Sequence, residues 1–288
     1  MATRTARTLP VPPWSLAVTA ILSVQLGSAL SIHLISKVGA AGTAWLRLSI
    51  GALVFLAVAR PPLRAIRRHD LPALLGLGIA TGVQTATFLA AIARIPLGTS
   101  VAIEFLGPLT VATVRSHNKR ALCWPALAAA GVTLLAQPWH GHIDLAGIGL
   151  AGCAAGCWAV YILLTQHVGD RLSGIQGLAI TVPLAAATTA IIGVHQAIGH
   201  ITLETLAAAA GLALLLPVLP YALEMLALRR IKPSAFGTLM ALEPAAAVLL
   251  GLLLLHQDPS ITQLVGLILV VTAGTGAQRG GRRIAQVV

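Results

Sequence analysis

The sequence predicts an all-α integral membrane protein of ten transmembrane helices, arranged as two inverted five-helix repeats with both termini cytoplasmic. Three observations carry that expectation. Composition is the first: 57% of the 288 residues are hydrophobic and 9% charged, too little polar side chain to cover a soluble domain. The second is a series of apolar runs of about 20 residues, the length that crosses a bilayer core. The third is the lopsided placement of Lys and Arg between those runs.

Arg4 and Arg7, then Pro10, Pro12 and Pro13, precede the first span, 14 to 36. Its apolar run of about 22 residues is too long for a signal-peptide core, so the span is read as retained. The next spans cover 40 to 59, 71 to 93, 97 to 114 and 121 to 137; five more follow at 145 to 167, 174 to 194, 204 to 227, 233 to 255 and 260 to 278. This divides the chain into a cytoplasmic segment 1–13, a first repeat 14–137, a second repeat 145–278 and a cytoplasmic tail 279–288. Of the 19 basic residues, Lys37 and Arg94 alone fall in loops on the outer side, and Arg47 lies inside the second span. The rest, including the cluster Arg60, Arg64, Arg67 and Arg68, alternate to the other side. Core helices of a soluble protein show no such alternation. Trp14 and Trp139 suit the membrane interface.

An offset of 136 residues lays Arg94-Ile95 on Arg230-Ile231, Leu106 on Leu242 and Pro108 on Pro244. Val38-Gly39 matches Val168-Gly169 at an offset of 130. The fourth span thus corresponds to the ninth, and an odd repeat length gives the halves opposite orientation, the architecture of secondary transporters with a site at the midplane.

A net charge of +11 does not indicate nucleic acid, because the basic residues are dispersed in short gaps instead of forming one surface. Three cysteines make no even disulfide framework, and Cys153 and Cys157, one helical turn apart in an apolar run, read as packing residues. No phosphate-binding loop, His-Glu-x-x-His helix or metal-ligand cluster is present, so neither an enzyme nor a cofactor is expected. The expected partners are a small-molecule substrate and the lipid bilayer.

The chemistry is concentrated in ionisable residues within spans, which in membrane proteins mark pathways by default. Arg47 is the intramembrane cation; Glu104, Glu224 and Glu243 are the carboxylates. Glu243 lies about 15 Å beyond the entry at Pro233, near the middle of a core roughly 30 Å thick, and Glu104 about 10 Å in from the outer end. Glu224 is shallower, with Arg229 and Arg230 in snorkelling range. Arg47, Glu104 and Glu243 suit a polar cavity that binds a zwitterion and exchanges it for a proton; the alternative is an Arg47–glutamate pair that fixes helix packing. Pro108 removes the donor for the Glu104 carbonyl and Pro244 the donor for Met240, so both halves expose a carbonyl at matching places, or simply kink there to pack. Gln25, Gln84, Trp158, Tyr161 and Tyr221 are the further pocket candidates. Ser28, Ser31, Thr85, Thr87 and Thr165 are more often helix glue, and His33 more often a packing residue than a proton relay.

Four stretches, Pro96–Ala112 (Pro-Leu-Gly-Thr-Ser-Val-Ala-Ile-Glu-Phe-Leu-Gly-Pro-Leu-Thr-Val-Ala), Gly156–Leu163, Leu219–Leu228 and Phe236–Ala245, resemble the EamA-type permeases of the drug/metabolite transporter superfamily. Within that superfamily they are similar to the threonine/homoserine exporter group of bacterial inner membranes. The resemblance implies export of small amino acids driven by the proton gradient, with Glu104 and Glu243 responding to protons. Related permeases move other metabolites, nucleobases or drugs, which is the alternative within the class; a membrane sensor or scaffold is the alternative outside it. The sequence departs from the exporter pattern at Gln25–Ser28, where Gln-Leu-Gly-Ser replaces a double glycine, and in its short arginine-rich tail.

Overall fold

The computed structural model describes residues 12–59, 70–114, 122–137, 144–168, 175–228, 230 and 233–280. Most basic residues behind the orientation expected above, together with Trp139, lie outside the described residues. Among the described residues the chain is helical, without strands. Eight helical stretches are long and apolar enough to cross a membrane: Trp14–Val38, Ala40–Ala59, Leu71–Ile92, Leu97–Val114, Leu145–Thr165, Ile175–Ala197, Leu203–Leu228 and Phe236–Leu255. The fifth and tenth expected spans contain the shorter apolar helices Cys123–Ala136 and Ile261–Ala277.

The helices are α1 (Pro13–Val38), α2 (Ala40–Ala59), α3 (Leu71–Ile92), α4 (Leu97–Glu104), α5 (Leu106–Val114), α6 (Cys123–Ala136) and α7 (Leu145–Val168). They continue with α8 (Ile175–Ala197), α9 (Leu203–Ala213), α10 (Leu219–Leu228), α11 (Pro233–Met240), α12 (Glu243–Leu255) and α13 (Ile261–Gly280). The fourth span is thus broken at Phe105 and the ninth at Ala241–Leu242, each break one turn before its proline, where the missing N–H interrupts the hydrogen-bond ladder. The eighth span, expected as one helix over 204 to 227, is also broken. A widened turn over Leu214–Val218 holds Leu216 at φ −161°, ψ 111°, because Pro217 has no N–H to give and excludes the helical conformation from the residue before it.

In the packing, α2 runs along α8, α6 along α13, and α4 meets α12. Around them α3 packs on α7 and α8, while α1 packs on α10, α11 and α12. Small residues set the closest approaches. A Cβ added at Gly131 of α6 would lie 2.6 Å from the Gly266 carbonyl oxygen of α13, and one added at Gly266 would lie 2.6 Å from that of Gly131. By contrast α7 leaves Gly149, Gly152 and Gly156 with nothing within 4 Å. Cys153 on this helix is exposed and Cys157 half-buried, which corrects the packing role expected for Cys153: the one side of α7 that carries it meets no neighbour.

The end of the bundle at Gly39, where α2, α4, α7, α9 and α13 begin, is crossed by polar contacts between the first and second halves of the chain. Lys37 pairs with Glu204 at 2.6 Å, as an interfacial Glu204 allows, and Arg94 with Asp144 at 3.2 Å. Gln137 Nε2 donates to Ser260 Oγ at 2.6 Å. Asp144 accepts from the Gly147 N–H at 2.7 Å, and this bond, with Arg94 beside it, holds its carboxyl below the usual range. Below these contacts lies an apolar layer that includes Ala29, Ala44, Leu97, Val101 and Ala247.

Gly131→Val or Gly266→Val is expected to destabilise the protein by about 1–3 kcal/mol through overpacking, whereas Gly152→Ala should stay within about 0.5 kcal/mol of the parent. Thermal unfolding in detergent measures both. Equal losses at all three positions would refute the α6–α13 packing account.

Candidate functional site

Beneath that apolar layer the helices enclose a cavity of about 330 Å³, at the lower end of the roughly 300–1,000 Å³ usual for small-molecule sites. The sequence candidates converge on it. From the first half come Gln25 on α1, Arg47 on α2, Gln84 on α3 and Glu104 at the end of α4. From the second half come Trp158 and Tyr161 on α7, Tyr221 and Glu224 on α10, and Glu243 at the start of α12. Residues far apart in the chain thus form one wall because every span but the fifth and tenth contributes to it, and the breaks bring main chain to the surface. Glu104 and Met240, the two residues whose carbonyls lose a donor to Pro108 and Pro244, both line the cavity.

Arg47 is 3% exposed and forms no ion pair with a described carboxylate. Its guanidinium donates to Ser31 Oγ at 3.3 Å, and Ser31 in turn donates to the Gly27 carbonyl at 2.6 Å. Arg47 Nε has no hydrogen-bond partner among the described residues. Glu104, 8% exposed, accepts from Gln84 Nε2 at 3.0 Å and lies in the electrostatic field of Arg47. Arg47 and Glu104 thus both line the cavity without closing a salt bridge among the described residues.

Glu243, also 8% exposed, closes no hydrogen bond or ion pair among the described residues. It begins α12, so the helix dipole favours its negative form. Glu104 ends α4, where the dipole opposes charge and Gln84 and Arg47 compensate. The two carboxylates are therefore chemically inequivalent. Glu224 lines the cavity together with Tyr221, one turn away; Arg229, one of the two basic residues in snorkelling range, lies outside the described residues. Tyr221 packs edge-on against Phe55, with ring centroids 6.2 Å apart.

Gln25 is 2% exposed, with Oε1 unpartnered among the described residues. Ser28 and Thr85 also reach the cavity wall, though both hydroxyls bond back to their own helices, at the Val24 and Thr81 carbonyls. Thr87 and Thr165 do the same without lining the cavity, as expected of helix glue. His33 is exposed, not packed, because it lies on the outward side of α1. Sequence reasoning missed the wall formed by Leu216, Pro217 and Pro220. The run Leu-Pro-Val-Leu-Pro over 216–220, two prolines inside one span, was the signal for it.

Residues 145–275 match the EamA-like transporter family. The chain is 37% identical over 288 residues to the threonine/homoserine exporter RhtA of Salmonella typhimurium strain SL1344, covering 98% of this chain and 96% of that protein. Identity to the threonine/homoserine exporter RhtA of Escherichia coli strain K12 is 37% over 278 residues, 94% of this chain and 93% of that protein. One solved crystal structure superposes with a TM-score of 0.57 at 17% identity, covering 90% of this chain and 95% of that one, a likeness of fold alone. With these relatives matched along nearly its whole length and apolar helices throughout, this multi-pass membrane protein belongs to the EamA-like transporter family.

Proposed function

We propose that the protein exports small neutral amino acids, threonine or homoserine first, across a bacterial inner membrane in exchange for protons, by alternating access. The observation that carries this reading is the cavity in which one incompletely bonded guanidinium, Arg47, faces three carboxylates, Glu104, Glu224 and Glu243. That charge pattern complements a zwitterion. Arg47 takes the substrate carboxylate; the ammonium goes to Glu104 or Glu243, and a proton arriving at the same carboxylates releases it. Gln25, Gln84, Trp158, Tyr161 and Tyr221 give the pocket its hydrogen bonds and its apolar walls. The exporters named above, similar over nearly the whole chain, support the substrate class. No cofactor is needed, since the proton gradient supplies the energy.

Ten spans in two inverted repeats, 14–137 and 145–278, are the architecture assigned to this function, with the ends on the cytoplasmic side. The helix contacts support it. Exchanging each span for its counterpart five places along turns the α3–α7 contact into α10–α1, the α3–α8 contact into α9–α2, and the contacts of α7 with α4 and α5 into those of α1 with α11 and α12. The contacts α2–α8 and α6–α13 map onto themselves. Alternating access then amounts to the halves exchanging conformations about this pseudo-axis.

Protein reconstituted in liposomes, with an imposed pH gradient and a panel of labelled amino acids, nucleobases and drugs, tests the reading. Threonine or homoserine should move and should stop moving when the gradient is collapsed. Movement indifferent to the gradient defeats proton coupling, movement of drugs alone assigns a multidrug permease, and movement of nothing returns the chain to a sensor or scaffold. Glu104→Gln and Glu243→Gln should each lower gradient-driven transport by about tenfold or more, within the usual range of coupling energies, while leaving monodisperse protein; unchanged transport in both would remove the carboxylates from the mechanism. Trp158 is the cavity-lining tryptophan among the described residues. Threonine should therefore change the indole emission of the parent but not of Trp158→Phe, and a change that survives in the variant would place binding elsewhere.

A further inference from the structure

A helix start leaves backbone N–H groups without intrahelical partners. At the Gly39 end two of these starts are served by glutamines from the other half of the chain. Gln196, at the end of α8, accepts from the Ala41 and Gly42 N–H groups of α2 at 2.9 and 3.2 Å. Gln257, just beyond α12, accepts from the Leu97 N–H of α4 at 3.1 Å, where Pro96 provides no side-chain cap of its own. Gly39, at φ 75°, makes room for the first: a Cβ there would collide with the Gln196 side chain.

Both capped helices carry a cavity charge roughly two turns from the cap. Arg47 lies six residues after Ala41, and Glu104 seven after Leu97. Ser100, fully buried with an unpartnered hydroxyl, sits one turn from Glu104 toward the Gly39 end.

We infer that Gln196 and Gln257 are positioning residues that latch the Gly39 end of the transporter shut and hold Arg47 and Glu104 at the depth where they face each other. Opening this end separates α2 from α8 and α4 from α12, which strips the amide acceptors from both helix starts. The latch is therefore a pair of backbone caps, with Lys37–Glu204 as its charged neighbour, and the helices that it releases are the ones that carry the two charges. The inference rests on the family membership and not on the identity of the solute.

The test is labelling of a single cysteine, Ser100→Cys, in a background of Cys123→Ser, Cys153→Ser and Cys157→Ser, reconstituted in liposomes and exposed to a membrane-impermeant maleimide. With both glutamines present the reporter should react slowly. Gln196→Leu combined with Gln257→Leu should raise its rate about tenfold or more, the effect of removing two caps on a two-state equilibrium. Gln196→Glu combined with Gln257→Glu keeps an acceptor at each helix start and should leave the rate slow. Equal rates in the parent and the leucine pair, or a glutamate pair that opens as the leucine pair does, would overturn the latch. If the leucine pair does not yield monodisperse protein, a bifunctional thiol cross-link between Lys37→Cys and Glu204→Cys decides: it should abolish transport reversibly, and transport that survives complete cross-linking would overturn the proposal. Labelling needs no transported solute, so failure of the amino-acid reading and failure of the latch are separate results.

Discussion

The arrangement depends on the placement of one guanidinium in a low-dielectric interior. A cation within a bilayer-spanning bundle is tolerated only where protein or trapped water faces it, and Arg47 is turned inward onto Ser31 and toward Glu104. It is only partly satisfied there. Among the described residues its Nε finds no hydrogen-bond partner, and the side chain lines the cavity. The carboxylates, the polar amides and the aromatic wall are all placed with respect to that charge.

Breaking helices is the other half of the construction. Within hydrocarbon an interrupted backbone survives only when it is buried in protein or lines a cavity, and the three interruptions, after Glu104, after Met240 and over Leu214–Val218, all touch the same cavity. Proline causes each one by removing a donor. The cost of those lost bonds is thereby concentrated where polar groups, water or a ligand can offset it, while α8 carries its interior Pro183 without a break.

Much of this was legible in the sequence because the signals are expensive for a membrane helix to carry. Intramembrane charges and interior prolines stand out against a background of Ala, Leu and Gly, and the inward-facing Arg47, Glu104 and Glu243 were found for that reason. Direction of facing was less legible. Glu224 and His33 are each compatible with either side of their helix on spacing alone, and only the packing of α10 and α1 turns the first inward and the second outward. Cys153 was misplaced for the same reason, since an apolar run on a lipid-facing helix has no polar face to orient it. The caps supplied by Gln196 and Gln257 were not visible at all: each is a lone glutamine at a helix end, and its partner is more than a hundred residues away.

The mutual approach of Gly131 and Gly266 has a mechanical consequence. Each α-carbon sits against the other helix's carbonyl oxygen, and the positions around the contact are filled by Leu134, Leu135, Leu269 and Val270. A slip of one residue along either axis would drive one of these branched side chains into backbone, so the two helices are fixed in register. One belongs to each half of the chain. The contact thus ties the two halves together at a single register along α6 and α13.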